Sequence, residues 1–272
     1  VQFQHLPLGG IALEDMPEFV WKRAPEPVRS QAAEHAAAMN ILAGGSPMCL
    51  RLLFGLLLDY GWDDLQQTLR GMEDSAEGEV TSRTICALAV ETYALHNPAA
   101  AVFLNRLVHG VGGIAQRAVE PLFWRGLGDS EACRATLDAL ATRGLLEMDH
   151  FNERIAIHPV VRRYLEENMA MLGEEWDRRH AAFYVQRAQA YQHLPIHRWA
   201  EVDMDWGNIY IGADWCARRV DQMWQQSAQV MVADPQFQPE QVMSAPESDA
   251  AGGDLRLARD YALALADYAF WR

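Results

Sequence analysis

The histidine in Ile155-Ala156-Ile157-His158-Pro159 stands where a strand must stop and a helix can begin. Arg154 to Ile157 alternates with the period of a half-buried strand. Pro159 suits the first turn of a helix, where its missing N–H would be unpaired in any case. An imidazole fixed at such a strand end can donate to a phosphate, and its pKa lies where small shifts change its charge. The same placement lets it cap the helix that follows. A second place of interest is Gly45-Ser46-Pro47. Ser46 is a good N-cap and Pro47 a good first helical residue, so the turn makes a helix N-terminus whether or not anything binds there.

Other chemistries lack their residues. The pattern G-x-x-x-x-G-K-[ST] of a phosphate-binding loop is absent, and Lys22, the only lysine, sits in Trp21-Lys22-Arg23 with no glycine before it. No apolar strand ends in paired acids that could hold magnesium. Gly-x-Ser-x-Gly and HExxH do not occur. His193 and His197 are four apart with Glu201 and Asp203 beyond, but Pro195 lies between them, which argues against a shared helical face and a zinc site. Cys49, Cys86, Cys133 and Cys216 are far apart in apolar helical settings, as buried free thiols in a reducing compartment are. No catalytic residue and no metal ligand is expected, and the chain on its own is expected not to be an enzyme.

Short helices and one hairpin must position His158 and the Gly45-Ser46-Pro47 turn. Ser130 can cap a helix with the stripe Cys133, Leu137, Leu140, ended by Gly144. Leu145, Leu146 and Met148 make a short apolar strand, Asp149 to Glu153 a polar turn, and Arg154 to Ile157 the return strand. The helix after His158 has Val160, Val161, Tyr164, Leu165 and Asn168 on one face, with Arg162–Glu166 and Arg163–Glu167 as i,i+4 pairs. Upstream, Leu13 to Ala24 and Pro27 to Leu42 are expected helices. Met48 to Leu58 is apolar nearly all round and belongs in the middle of a bundle. Asp63 is expected to cap the next helix. Thr84 to Leu95, Ala99 to Val108 and Ile114 to Trp124 follow as helices, the middle pair separated by Asn97-Pro98. Glu175 to His193 and a stripe through Trp206, Ile209, Ala213, Cys216 and Val220 are helical too. Gln222 to Gly253, rich in Gln, Pro, Ser and Asp, is expected to be a long mobile connection before a last helix from Leu255 to Trp271.

Helix, hairpin and a helix opening on His-Pro make a winged-helix pattern. Its order after a Gly-x-Pro turn resembles the regulatory half of the STAND family of nucleotide switches, which includes the NB-ARC proteins. The matching runs are GGSPMCLRLLFGLL, containing Gly45-Ser46-Pro47, and IHPVVRRYL, containing His158. HAAFYVQRAQAY and DMDWGNIYIGADWCARR look like the helical linker leading into tetratricopeptide-type repeats. In that family the proline packs near adenine and ribose, and the histidine senses the nucleotide phosphate; an acid commonly follows that histidine, where this chain has Pro159. The resemblance therefore implies ADP or ATP as cofactor, contacted by His158, Pro47, Gly45 and Ser46, and held mainly by a P-loop core outside this sequence. It implies that upstream core, downstream repeats and a second copy on activation as partners, and a cytoplasmic location.

The expected fold is mainly α: a helical bundle, a winged-helix domain with a short hairpin wing, and a helical, tetratricopeptide-like C-terminal region. The boundaries are residues 1–10 for a last strand of an upstream core, 11–78 for the helical domain, 79–172 for the winged helix and 173–272 for the helical tail. With Val1 first and Trp271-Arg272 ending an apolar helix, the chain is taken as part of a longer protein. A net charge of -14 disfavours nucleic acids and anionic membranes as partners. Two other functions compete: a DNA-binding winged-helix regulator and a ligand-free helical scaffold. Against the first, the helix from Ser130 to Arg143 sets Glu131 and Asp138 against Arg134 and Arg143, and the hairpin sets Glu147, Asp149 and Glu153 against Arg154. That surface repels a duplex.

Overall fold

A computed structural model describes residues 9–72, 82–168, 172–192, 194–233 and 250–271. The chain is mainly helical, and its strands among the described residues are short. It divides into two compact units, one of Val1–Val108 with Phe123–Met169, the other of His109–Leu122 with Ala170–Arg272. The expected strand from Val1 to Leu8 and the acidic stretch from Asp74 to Glu79 lie outside the described residues.

The first unit opens with α1 (Met16–Arg23), α2 (Arg29–Glu34), α3 (Ala36–Leu42) and α4 (Pro47–Leu56). The expected single helix from Pro27 to Leu42 is broken. A 3-10 turn occupies Glu26–Val28, and His35 leaves helical geometry at φ -105, ψ 15. The His35 ring stacks on Trp62 at 5.3 Å and 14° between planes, a contact that a continuous helix would have to accommodate differently. α4 has its whole run from Met48 to Leu56 buried except Arg51, as an all-round apolar helix requires. α5 (Trp62–Gly71) starts from Gly61 rather than from Asp63; Asp63 and Asp64 instead sit in its first turn, where their charge suits the helix dipole.

α6 (Ser82–His96) and α7 (Pro98–Val108) meet at Asn97, whose side chain accepts from the Ala100 N–H at 3.1 Å. α8 (Ser130–Thr142) is capped by Asp129, not Ser130; the Asp129 carboxylate accepts from Ala132 N–H at 2.8 Å. Both residues are good caps, and the one a position earlier takes the role. β1 (Glu147–Asp149) pairs antiparallel with β2 (Arg154–Ala156), Glu147 facing Ala156 and Asp149 facing Arg154. The turn is locked by Asp149, which accepts from the Phe151 and Asn152 N–H groups at 3.0 and 3.1 Å. α9 (Pro159–Asn168) follows, burying Val161, Tyr164 and Leu165. It packs on α6 and α7, and Tyr164 donates to Glu91 at 2.8 Å.

The second unit holds α10 (Glu174–Tyr191), α11 (Trp199–Ala233) and α12 (Ala250–Trp271), which pack on one another. The expected mobile stretch from Gln222 is helical as far as Ala233; Met223 to Ala233 contains no proline or glycine to stop it. The expected helix from Ile114 to Trp124 is replaced by an extended pair, Ile114–Ala115, one short turn and a π-helical stretch at Val119–Phe123. Gly112 and Gly113 precede it with φ of 73 and 84, and Asn208 holds the glycine turn through both side-chain atoms, accepting from Val111 N–H and donating to Val111 and Gly113 carbonyls. Pro121 lies within the π-helical stretch and offers no N–H.

Two buried carboxylates of this unit are paired. Asp254 is fully buried and takes a two-pronged contact from Arg178 at 2.7 and 3.1 Å and a third bond from Arg219 at 3.2 Å. Asp205 accepts from Tyr191 at 2.8 Å, with Arg187 at 3.6 Å. A Cβ at Gly212 would lie 2.1 Å from the Tyr261 hydroxyl, so glycine there lets Tyr261 reach the Ala181 carbonyl at 2.9 Å.

Candidate functional site

The Gly44-Gly45 turn is left-handed at both residues, φ 56 and 71, the geometry that glycine adopts without strain. Gly45 N–H reaches back to Asn40 C=O at 2.9 Å, and its own carbonyl accepts from Ile11 N–H at 2.8 Å. A Cβ on Gly10 would lie 2.7 Å from Gly45 Cα, so the two backbones touch. Ser46 caps α4 by accepting from Cys49 N–H at 3.4 Å, and Pro47 takes the first helical position. Gly45 and Ser46 thus fix the direction in which α4 leaves the turn.

The other end of α4 is fixed against the exit of α8. A Cβ on Gly55 would sit 2.4 Å from the Arg143 carbonyl oxygen, so only glycine permits this approach. A Cβ on Gly144, at φ 73, would lie 3.2 Å from Arg51. Arg143 is held in place by Asp59 at 2.8 Å and lies over the Tyr93 ring at 4.8 Å. The chain leaves Gly144 directly into β1, which brings Glu147 beside Arg51, Oε1 to Nη1 at 2.8 Å.

A cleft of about 440 Å³ results, lined by Phe19, Arg23, Pro47, Met48, Arg51, Glu147, Met148 and His158. Pro47 and His158, distant in sequence, therefore share one cavity. Gly45 and Ser46 are not among its lining residues and act behind it through the turn. The cleft volume is within the range of small-molecule sites. Phe19, Pro47, Met48 and Met148 give it apolar wall, and Arg23, Arg51, Glu147 and His158 give it polar atoms.

His158 is half-buried. The Val160 N–H donates to its Nδ1 at 3.3 Å, so a neutral ring carries its proton on Nε2. Burial holds its pKa below the usual histidine value; the Glu147 charge opposes that and the Arg51 charge adds to it. The ring is therefore neutral at pH 7, with one nitrogen capping α9 and the other a donor. The helix-cap role is seen directly; it occupies Nδ1 and leaves the donor chemistry to Nε2.

Arg23, Arg51, Glu147 and Phe19 were not among the residues singled out from the sequence. Arg51 carried a signal: it is the one charge in the apolar run MCLRLLFGLL, and a charge inside a buried helix marks a polar opening. Glu147 gave none, since its role depends on the pairing of a hairpin with a distant helix.

The thiols do not form a second site. All four are buried and none is joined in a disulfide. Burial raises the pKa of Cys49 and pushes those of Cys86 and Cys216 to about 12, which leaves almost no thiolate at neutral pH. Among the described residues no group of His, Cys, Asp and Glu has the arrangement of a metal site. His193 lies outside the described residues, and His197 is exposed. No helix among the described residues is long and apolar enough to cross a membrane.

The chain was compared with protein families, with curated proteins and with solved structures, and it matches none of them.

Proposed function

We propose that this chain is the regulatory part of a nucleotide-dependent molecular switch of the STAND/NB-ARC type. In this reading α8, the hairpin and α9 belong to a winged-helix domain, and α10 to α12 begin a tetratricopeptide-like region. ADP or ATP is held by a P-loop core outside this sequence. Pro47, at the end of the Gly45-Ser46 turn that positions it, and His158 contact the bound nucleotide, and ADP keeps the assembly closed. Exchange for ATP releases it for self-association or effector activation in the cytoplasm. Any hydrolysis belongs to the core.

The observation that carries this reading is the shared cleft. The two positions named by the family resemblance line one cavity together with two arginines. An apolar wall beside Pro47 suits a base, and Nε2–H of His158 with Arg51 suits a phosphate. His158 also meets the electrical requirement, since a neutral imidazole with Nδ1 occupied has its remaining proton available for donation.

The test is His158→Ala in the protein that contains both this chain and the core. Loss of one charge-assisted hydrogen bond, roughly 1.5–3 kcal/mol, shifts the closed/open ratio about ten- to a hundredfold. The variant should retain less ADP and show more basal assembly. If melting temperature falls while ADP content is unchanged, His158 is a helix cap only and the switch reading fails.

A further inference from the structure

The cleft contains its own anion. Glu147 lines it, is half-exposed, and places Oε1 2.8 Å from Nη1 of Arg51. Arg51 is the more enclosed partner at 23% exposure against 48% for Glu147. A carboxylate and a phosphate oxygen compete for the same guanidinium N–H groups. We propose that Glu147 is a built-in competitor for the phosphate of the ligand: it holds Arg51 while the cleft is empty and swings aside when a diphosphate takes the guanidinium.

The placement of Glu147 fits this role. It is the first residue of β1 and faces Ala156 in register, two residues before His158. Its backbone is fixed by the hairpin, so only the side chain has to move. Arg51 is fixed more firmly: its α4 backbone runs against the Gly144 turn, whose missing Cβ would lie 3.2 Å from it. The arginine thus stays and the glutamate exchanges. A half-exposed ion pair is weak enough for such an exchange, because water already competes for both partners. With Glu147 displaced, Arg23, Arg51 and Nε2–H of His158 face the cleft as donors. A 440 Å³ volume accommodates a pyrophosphate with space left for a nucleoside.

This inference rests on the switch reading for its ligand class, but it can be tested on the chain itself with pyrophosphate as the probe. Calorimetric titrations at low salt would compare the wild type with Glu147→Gln, Arg51→Ala, the double variant and Glu131→Gln. The last removes the same charge from an exposed position outside the cleft. Glu147→Gln should bind pyrophosphate roughly tenfold more tightly than the wild type, because a charged competitor becomes a neutral, weaker one and the repulsion between carboxylate and phosphate is removed. Adding Arg51→Ala should abolish that gain, and Glu131→Gln should leave affinity unchanged. The proposal is overturned if Glu147→Gln binds no better than the wild type, if neither binds, if Glu131→Gln gives an equal gain, or if the gain survives loss of Arg51. Because the readout is pyrophosphate and not ADP retention, a switch that fails the His158→Ala test can still show competition, and the two failures are separable.

Discussion

The two units use the same residue types to opposite ends. Around the Pro47–His158 cleft, Arg51 and Glu147 form a pair that is partly solvated on both sides. In the second unit Asp254 forms a pair with the same kind of partner, yet its side chain is wholly excluded from water and is bonded by both Arg178 and Arg219. Burial is what separates them. A solvated pair gains little from forming and loses little on exchange, so it can serve a ligand. A buried carboxylate has already lost its hydration and depends on its partners, so it can serve only the fold. Charge and spacing look alike in the sequence; solvent access assigns the roles.

The comparison breaks first at Asp254. Asp254→Ala leaves Arg178 and Arg219 facing the space of a missing anion. It should destabilise the chain by roughly 3 kcal/mol, toward the lower end for breaking a buried pair because both arginines are partly exposed. Urea unfolding would measure it. Pyrophosphate affinity of the cleft should be unchanged, and a loss there at full folding would mean that the contrast between the units is wrong.

Acid should act next, again through the second unit. His180 is buried between Trp176 and Tyr184, with its ring centroid 4.7 Å from that of Tyr184. Burial, with the nearby His109 adding to it and Asn208 opposing, lowers its pKa from 6.5 to about 4. A depressed histidine pKa means that the unfolded chain takes up the proton first as pH falls. Stability is therefore full above about pH 6.5 and is lost progressively down to about pH 4. By pH 5 the loss attributable to this residue should be about 2 kcal/mol. Melting curves at pH 7 and pH 5 would show it, and His180→Gln should flatten the difference. An unaltered slope in the variant would remove His180 as the cause. His158 shifts in the same direction but is half-exposed, so its share is smaller.

What could be read from the sequence follows the range of the physics involved. The Ser46 cap, Pro47 at the helix start and the exposed Arg163–Glu167 pair obey local rules and are where those rules put them; the hairpin forms, but its first strand is Glu147–Asp149 rather than Leu145–Met148, with Asp149 in the strand instead of the turn. The errors arose where two local options are nearly equal. Asp129 and Ser130 can both cap α8, and a helix through His35 is locally acceptable until Trp62 offers its ring. Ile114 to Trp124 has helical composition, but the glycine turn before it is tied to Asn208, far along the chain. The cleft was half legible. His158 stood out by its local chemistry and Pro47 only through the family resemblance, while Arg51 and Glu147 meet because Gly55 and Gly144 let α4 press against the turn after α8.

The smallest expected effect is the one that sharpens the comparison most. Glu147→Gln removes a charge from an ion pair just as Asp254→Ala does, but its partner Arg51 can turn to water. The stability change should stay within about 0.5 kcal/mol, the usual scale for a partly exposed pair. The glutamine is isosteric and keeps an acceptor for Arg51, and Glu147 is an exposed strand residue whose backbone pairing with Ala156 is untouched. Urea unfolding on the same day as the Asp254 variant would give both numbers on one scale. A loss approaching that of Asp254→Ala would mean that the Arg51–Glu147 pair is a structural clamp joining α4 to the hairpin. It would then be too strong to yield to a phosphate, and the cleft would be built to stay closed. A near-zero loss leaves the pair free to exchange, which is the property a ligand site needs and a core does not.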